Sequence, residues 1–197
     1  MIIDKENYYF IAPDNKNGLS VRPPRDLYLA DTFEFKVSFT VDFQKCQGKS
    51  RGIVMMNGKH LGIHIWNKKL NGSVWTEDGV FDTYQNIGSK DIECRFICDN
   101  KNKQISLIVG NIKTTTDFTG DLVDDYKHSY IWLGCGNGIK DIEEEFKNHF
   151  YGDINYLEIK RDDKTIFESN FEKKTEFKVY DESLSGNHLL KYKPEWY

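Results

Sequence analysis

Helical patterning is scarce in this chain of 197 residues. Apolar residues rarely recur at the three-and-four spacing of an amphipathic helix. "KDIEEEFKNHF" is the one stretch that admits a short helix, and it reads equally as an acidic loop. Alanine occurs only at Ala12 and Ala30, against plentiful Lys, Asn, Ile, Asp, Tyr and Phe, a usage that suits an AT-rich coding genome.

Other absences exclude whole classes of function. No dense Lys/Arg block exists and the net charge is −4, so a nucleic-acid partner is not expected. Aliphatic runs such as "IVMM" are far too short to span a bilayer, so no membrane partner is expected. In "MIIDKENYYF" the charges of Asp4, Lys5 and Glu6 break any signal-peptide core; the expectation is synthesis in the cytoplasm without export. The four cysteines, Cys46, Cys94, Cys98 and Cys135, form no Cys-x-x-Cys pair. Cys94 and Cys98 on one strand would stand about 13 Å apart, too far to bridge; the cysteines read as free thiols of a reducing compartment, with a cross-strand bridge as the alternative. No G-x-S-x-G elbow, phosphate-binding loop or dinucleotide glycine pattern occurs. The five histidines, His60, His64, His128, His149 and His188, are scattered and make no zinc set.

What the chain does have is alternation. In "TFEFKVSFTVDF" the residues Phe33, Phe35, Val37, Phe39, Val41 and Phe43 alternate with polar ones, which predicts a strand with one buried face. "GIHIW", "DIECRFIC", "ISLIVGN", "YIWLGCGN" and "GDINYLEIK" read as further strands. The apolar phase of the last shifts between Ile154 and Leu157, which predicts a bulge. Asn57-Gly58 and Asn71-Gly72 read as type I′ hairpin turns, and Tyr84, Gln85 and Asn86 as a loop. Aromatics make up 14% of residues and favour strands. The expectation is an all-β fold, an antiparallel β-sandwich of jelly-roll type with at most one or two short helices. One domain is expected over residues 1–197, with an irregular N-terminal segment 1–30 and a C-terminal segment 165–197 returning onto the sandwich.

The order of "FEFKVSFTVDF", "GIHIW", "CRFICDNKNKQISLIVGN", "YIWLGCGN" and "FYGDINYLEIK", closed by "YDESLSGNHLL", resembles the concanavalin A-like lectin/glucanase superfamily, in particular its laminin-G-like branch. The resemblance covers roughly residues 28–190. It implies that the terminal segment packs beside the sandwich, with Gly186 and Asn187 at a turn, His188 as a turn residue and Leu189 and Leu190 as anchors.

The same resemblance raises two kinds of chemistry. Glucanases of the superfamily use alternating acids on one strand; Asp141, Glu143 and Glu145 alternate, but the order of acids differs and the stretch reads as a solvated loop. Asp91 and Glu93 lack a third acid. Lectins of the superfamily hold calcium in loop carboxylates, which makes Asp121, Asp124 and Asp125, and Asp99, Asn100 and Asn102, possible ligands, although turn formation explains both sets. No other cofactor is implied.

Carbohydrate binding is the reading the residues favour. A sugar offers C–H faces to aromatic rings and hydroxyls to amides, carboxylates and imidazoles. Trp66, His64 and Asn67, with Trp75, Trp132, Tyr130 and Tyr84, are the candidate ligand-binding residues. Each tryptophan taken singly reads as a buried packing residue; together they make an aromatic platform. The expectation is therefore a non-enzymatic, lectin-like recognition module. Its expected setting is a bacteriophage virion surface or tail contacting host polysaccharide. The alternatives are a purely structural virion protein that binds other virion subunits, and a glycoside hydrolase.

Overall fold

The computed structural model describes residues 1–3, 9–13, 30–56, 61–123, 131–134, 149–172, 178–179, 182 and 187–191. These form two antiparallel sheets packed face to face, and no helix occurs among the described residues.

The first sheet contains β1 (Ile2–Ile3), β3 (Thr32–Val41), β8 (Asp91–Asp99), β9 (Gln104–Val109), β10 (Ile112–Asp117), β12 (Gly152–Arg161) and β13 (Lys164–Ser169). Its order is β1-β12-β3-β8-β9-β10, with β13 also paired to β12. The second contains β2 (Tyr9–Pro13), β4 (Arg51–Met56), β5 (Leu61–Trp66), β6 (Lys69–Thr76), β7 (Gly79–Asn86), β11 (Ile131–Leu133), β14 (Lys178–Val179) and β15 (Asn187–Lys191), in the order β14-β15-β2-β11-β4-β5-β6-β7.

The core lies between the sheets, and strict two-residue alternation builds it. Phe33, Phe35, Val37, Phe39 and Val41 of β3 are all buried, as are Ile92, Cys94, Phe96 and Cys98 of β8. The second sheet answers with Leu61, Ile63 and Ile65 of β5, Leu70 and Val74 of β6, and Ile131 and Leu133 of β11. Phe35 stacks on Phe96 at 6.4 Å between ring centroids, and Phe39 meets Phe150 edge-on at 5.7 Å. Cys46, Cys94 and Cys98 are buried as thiols; burial pushes the Cys94 thiol far above its ordinary range. Cys135 lies outside the described residues.

The register of β12 against β3 slips between Ile154 and Tyr156, a bulge where the apolar phase of the sequence shifts. Elsewhere local signals mislead. Asn71 and Gly72 lie inside β6, not at a turn. The hairpin between β5 and β6 instead turns at Asn67 and Lys68, both with positive φ (48° and 60°), as a type I′ turn requires. Asn57-Gly58 lies outside the described residues. Tyr84, Gln85 and Asn86 are not a loop but the end of β7. The N-terminal segment is not wholly irregular, since β1 pairs β12 and β2 pairs β11. His188 is not a turn residue: within β15 it stands opposite Ala12 of β2, and Leu189 and Leu190 stand opposite Ile11 and Phe10.

Candidate functional site

The outer faces of the two sheets differ in kind. On the first sheet the outward side chains are cross-linked. Arg95 donates to Glu34 at 2.6 Å, Lys36 pairs with Glu93 at 3.4 Å, and Lys160 pairs with Glu158 at 3.2 Å. The hydrogen bond to Glu34 holds the Arg95 guanidinium above its ordinary pKa. The Tyr156 hydroxyl donates to Glu168 at 2.9 Å, and burial with that bond pushes the phenol far up. Asp91, raised above as an acid, accepts from the Thr40 hydroxyl at 2.6 Å, and its neighbour Glu93 is engaged by Lys36. These pairs leave this face tiled with mutually satisfied charge.

The outer face of the second sheet carries rings and amides. Pairing of β5, β6 and β7 sets its rows: Gly62, Ser73 and Asp82; then His64, Asn71 and Tyr84; then Trp66, Lys69 and Asn86; with Trp75 beside Val80 at the other end. Trp66 and Tyr84 are each 51% exposed. The Lys69 ammonium sits 4.3 Å from the centroid of the Tyr84 ring, a cation–π contact.

Beside the rings, on the same face, lies a polar floor. Ser73 is fully buried, and its hydroxyl donates to Asp82 Oδ1. His64 Nδ1 lies 3.4 Å from Ser73 Oγ. Because the Ser73 proton points at Asp82, its oxygen accepts from a protonated Nδ1. Neutral His64 then keeps Nε2 as an acceptor. Burial lowers the His64 pKa, partly offset by the Asp82 carboxylate. Ser73, enclosed and bonded to Asp82, presents no nucleophile to solvent. Asn71, also buried, donates to the Lys69 carbonyl at 3.0 Å.

A cleft of about 470 Å³ opens at the end of the β5–β6 hairpin. Phe43, Cys46, Gln47, Gly48, Asn67 and Lys68 line it. Its chemistry is one half-buried ring, two exposed primary amides and an ammonium 6.0 Å from the Phe43 centroid. Cys46 is held as a neutral thiol, because burial pushes its pKa up.

The residues singled out from sequence therefore separate. His64, Trp66, Trp75 and Tyr84 share one sheet face, and Asn67 lines the adjoining cleft. Trp132 has the predicted phase, opposite to Ile131 and Leu133, yet it is 3% exposed. It stands beside Met55 of β4, itself buried, and opposite Phe10 of β2. Exposure, not phase, removes it from the contact surface. Tyr130, and the acids Asp141, Glu143 and Glu145, lie outside the described residues. Sequence reading missed Asn71, Ser73 and Asp82; their signal was the polar alternate set of "KLNGSVWT" and "GVFDTYQN", hidden by the false turn at Asn71-Gly72.

Of the residues raised for calcium, the described ones are engaged within the protein. Asp99 accepts from both nitrogens of Asn102 (2.9 and 2.7 Å), and Asn100 and Asp121 accept from Lys103. Asp124 and Asp125 lie outside the described residues. Among the described residues no group of three or more His, Cys, Asp or Glu side chains converges on a metal position.

This architecture is a jelly-roll β-sandwich of the concanavalin A-like fold. No family model matches the sequence and no curated protein does, but solved structures share the fold. A Bacteroides ovatus protein, provisionally described as carbohydrate binding, superposes with a TM-score of 0.64 at 10% identity, over 95% of this chain and 57% of that one. This chain thus spans little more than half of that relative's length. The CBM40 module of Ruminococcus gnavus IT-sialidase, solved with α2,3-sialyllactose bound, gives 0.54 at 14% identity over 70% of this chain and 79% of its own. Domains LG4-5 of the mouse laminin α1 chain give 0.52 at 13% identity over 78% and 40%. At these identities the likeness is one of fold.

Proposed function

We propose that the protein is a non-enzymatic carbohydrate-binding module that holds its ligand on the outer face of the second sheet. The observation that carries this reading is the pairing of two half-exposed rings, Trp66 and Tyr84, with a fixed polar floor of His64, Asn71, Ser73 and Asp82. Rings take the apolar face of a sugar; His64 Nε2, the Asp82 carboxylate and the exposed amide of Asn86 take its hydroxyls. The cleft beside Asn67 offers the same combination and extends the face toward Phe43. Two of the solved structures of this fold support the reading, one described as carbohydrate binding and one holding sialyllactose. The setting that we propose with it, a virion surface contacting host polysaccharide after synthesis in the cytoplasm, rests on the sequence reading alone.

The test is a broad glycan-array screen of the purified protein, repeated with Trp66→Ala. The expected result is a specific set of glycans bound by the native chain and lost in the variant. A blank array would overturn the reading and favour the assembly role, to be sought in purified virions. Binding undiminished in Trp66→Ala would keep the function and move the site.

A further inference from the structure

The turn between β8 and β9 and the loop that follows β10 meet on a single ammonium. Lys103 Nζ lies 3.1 Å from Asn100 Oδ1, 3.0 Å from the Gly120 carbonyl and 3.0 Å from Asp121 Oδ1. A side-chain amide oxygen, a backbone carbonyl and a carboxylate around one positive centre are the donor types of a loop calcium site. The distances, however, are those of N–H···O bonds rather than the ~2.3–2.6 Å of calcium coordination.

Lys103 is itself anchored. Its carbonyl accepts from Phe118 N at 2.8 Å, its φ is +54°, and its ammonium lies 5.6 Å from the Phe118 ring centroid. A third segment joins the clamp, since Glu77 N donates to the Asp121 carbonyl at 3.0 Å. That ties the turn leading into β7, and so the edge of the candidate binding face, to the same point. An ammonium with three oxygen acceptors uses its full donor capacity. A divalent ion could reach these oxygens only by displacing a charge of the same sign and breaking all three bonds.

We propose that Lys103 is a tethered cation that joins these loops in the place of a calcium ion, and that these three oxygens therefore do not take calcium. The Asp121–Lys103 pair alone is too exposed to matter, at 87% and 35% side-chain exposure; the clamp rests on the convergence of three acceptors from two loops.

Thermal denaturation of the full chain in EDTA and in millimolar calcium chloride tests this, alongside Lys103→Met, which keeps the side-chain stem and removes the charge. The native melting temperature should be the same in both solutions, and Lys103→Met should melt roughly 5 °C lower in EDTA. A saturable calcium-induced rise in the native protein that Asp121→Asn abolishes would overturn the proposal, and so would a Lys103→Met variant that melts with the native chain. A rise that survives Asp121→Asn would place calcium elsewhere and leave Lys103 as the cation here. The calcium comparison is read on the native chain, so it stands whether or not the variant accumulates as folded protein.

Discussion

Gly72 of β6 packs directly against Phe96 of β8 across the interior of the sandwich: a Cβ placed on it would fall on Cδ2 and Cε2 of the ring. Phe96 is fully buried and stacked on Phe35, so it has little room to retreat. A glycine inside a strand marks such a close approach. Gly72→Ala should therefore cost about 1–3 kcal/mol through overpacking, read as a lower urea midpoint with unchanged slope. Native stability in this variant would mean that the sheets separate more easily than this contact implies.

Gln85 joins the two sheets where their edges meet. Its side-chain nitrogen donates to the Leu107 carbonyl at 2.9 Å and to the Ile112 carbonyl at 3.0 Å. Thr83 and Thr114 bond beside it at 2.9 Å. Gln85→Leu keeps comparable bulk but removes both donated bonds, the one to the Leu107 carbonyl being buried. The expected loss is about 1–3 kcal/mol in chemical denaturation. A variant as stable as the native chain would show that β7 and β10 are held without the Gln85 bonds, by packing and by the threonine bonds beside them.

Two tryptophans of the same sheet face should respond oppositely to truncation. Trp66, half exposed, should tolerate alanine within about 0.5 kcal/mol of native stability while weakening ligand affinity by about tenfold, or ~1.4 kcal/mol. Trp132, buried at 3%, should lose about 3–5 kcal/mol on the same change. Melting curves and a binding titration on both variants separate the roles. A Trp132→Ala protein that stays stable yet loses binding would return that residue to the contact surface.

These residues show why parts of the fold were legible in the sequence and others were not. The unbroken alternation of Thr32–Val41 reflects a central strand with a wholly apolar inner face, so period and burial coincide. At β7 they do not. Its inward set is Phe81, Thr83 and Gln85, two of them polar because they bond across the seam, and the segment consequently reads as a loop. Asn71-Gly72 carries turn chemistry, but its glycine answers a demand from Phe96 in another sheet. The pairing of β2 with β15 joins ends of the chain far apart in sequence, where no local signal operates. In the candidate site, rings announced themselves through residue type and phase, whereas exposure, which separates Trp66 from Trp132, depends on what packs above the sheet.

The floor of the candidate face should make stability depend on pH near neutrality. His64 is held below its ordinary range because burial penalises the imidazolium, and the Asp82 carboxylate only partly compensates. In the unfolded chain a histidine titrates near ~6.5. Below that value the unfolded state takes up the proton that folded His64 resists, so protons favour unfolding. The contribution of His64 is thus complete above about pH 6.5 and is lost as pH falls through its lower folded value. Ser73 and Asp82 face it, Asn71 and Tyr84 share its row, and His149, also buried, pairs with the other side of Gly52. Protonation would also turn His64 Nε2 from an acceptor into a donor, so binding should shift over the same range. Denaturant titrations from about pH 8 to about pH 5 should show stability level at first and declining below about 6.5. His64→Gln, which cannot ionise, should flatten the part of that decline nearest neutrality. An identical decline in the variant would assign the effect to another group and leave His64 a purely structural member of the floor.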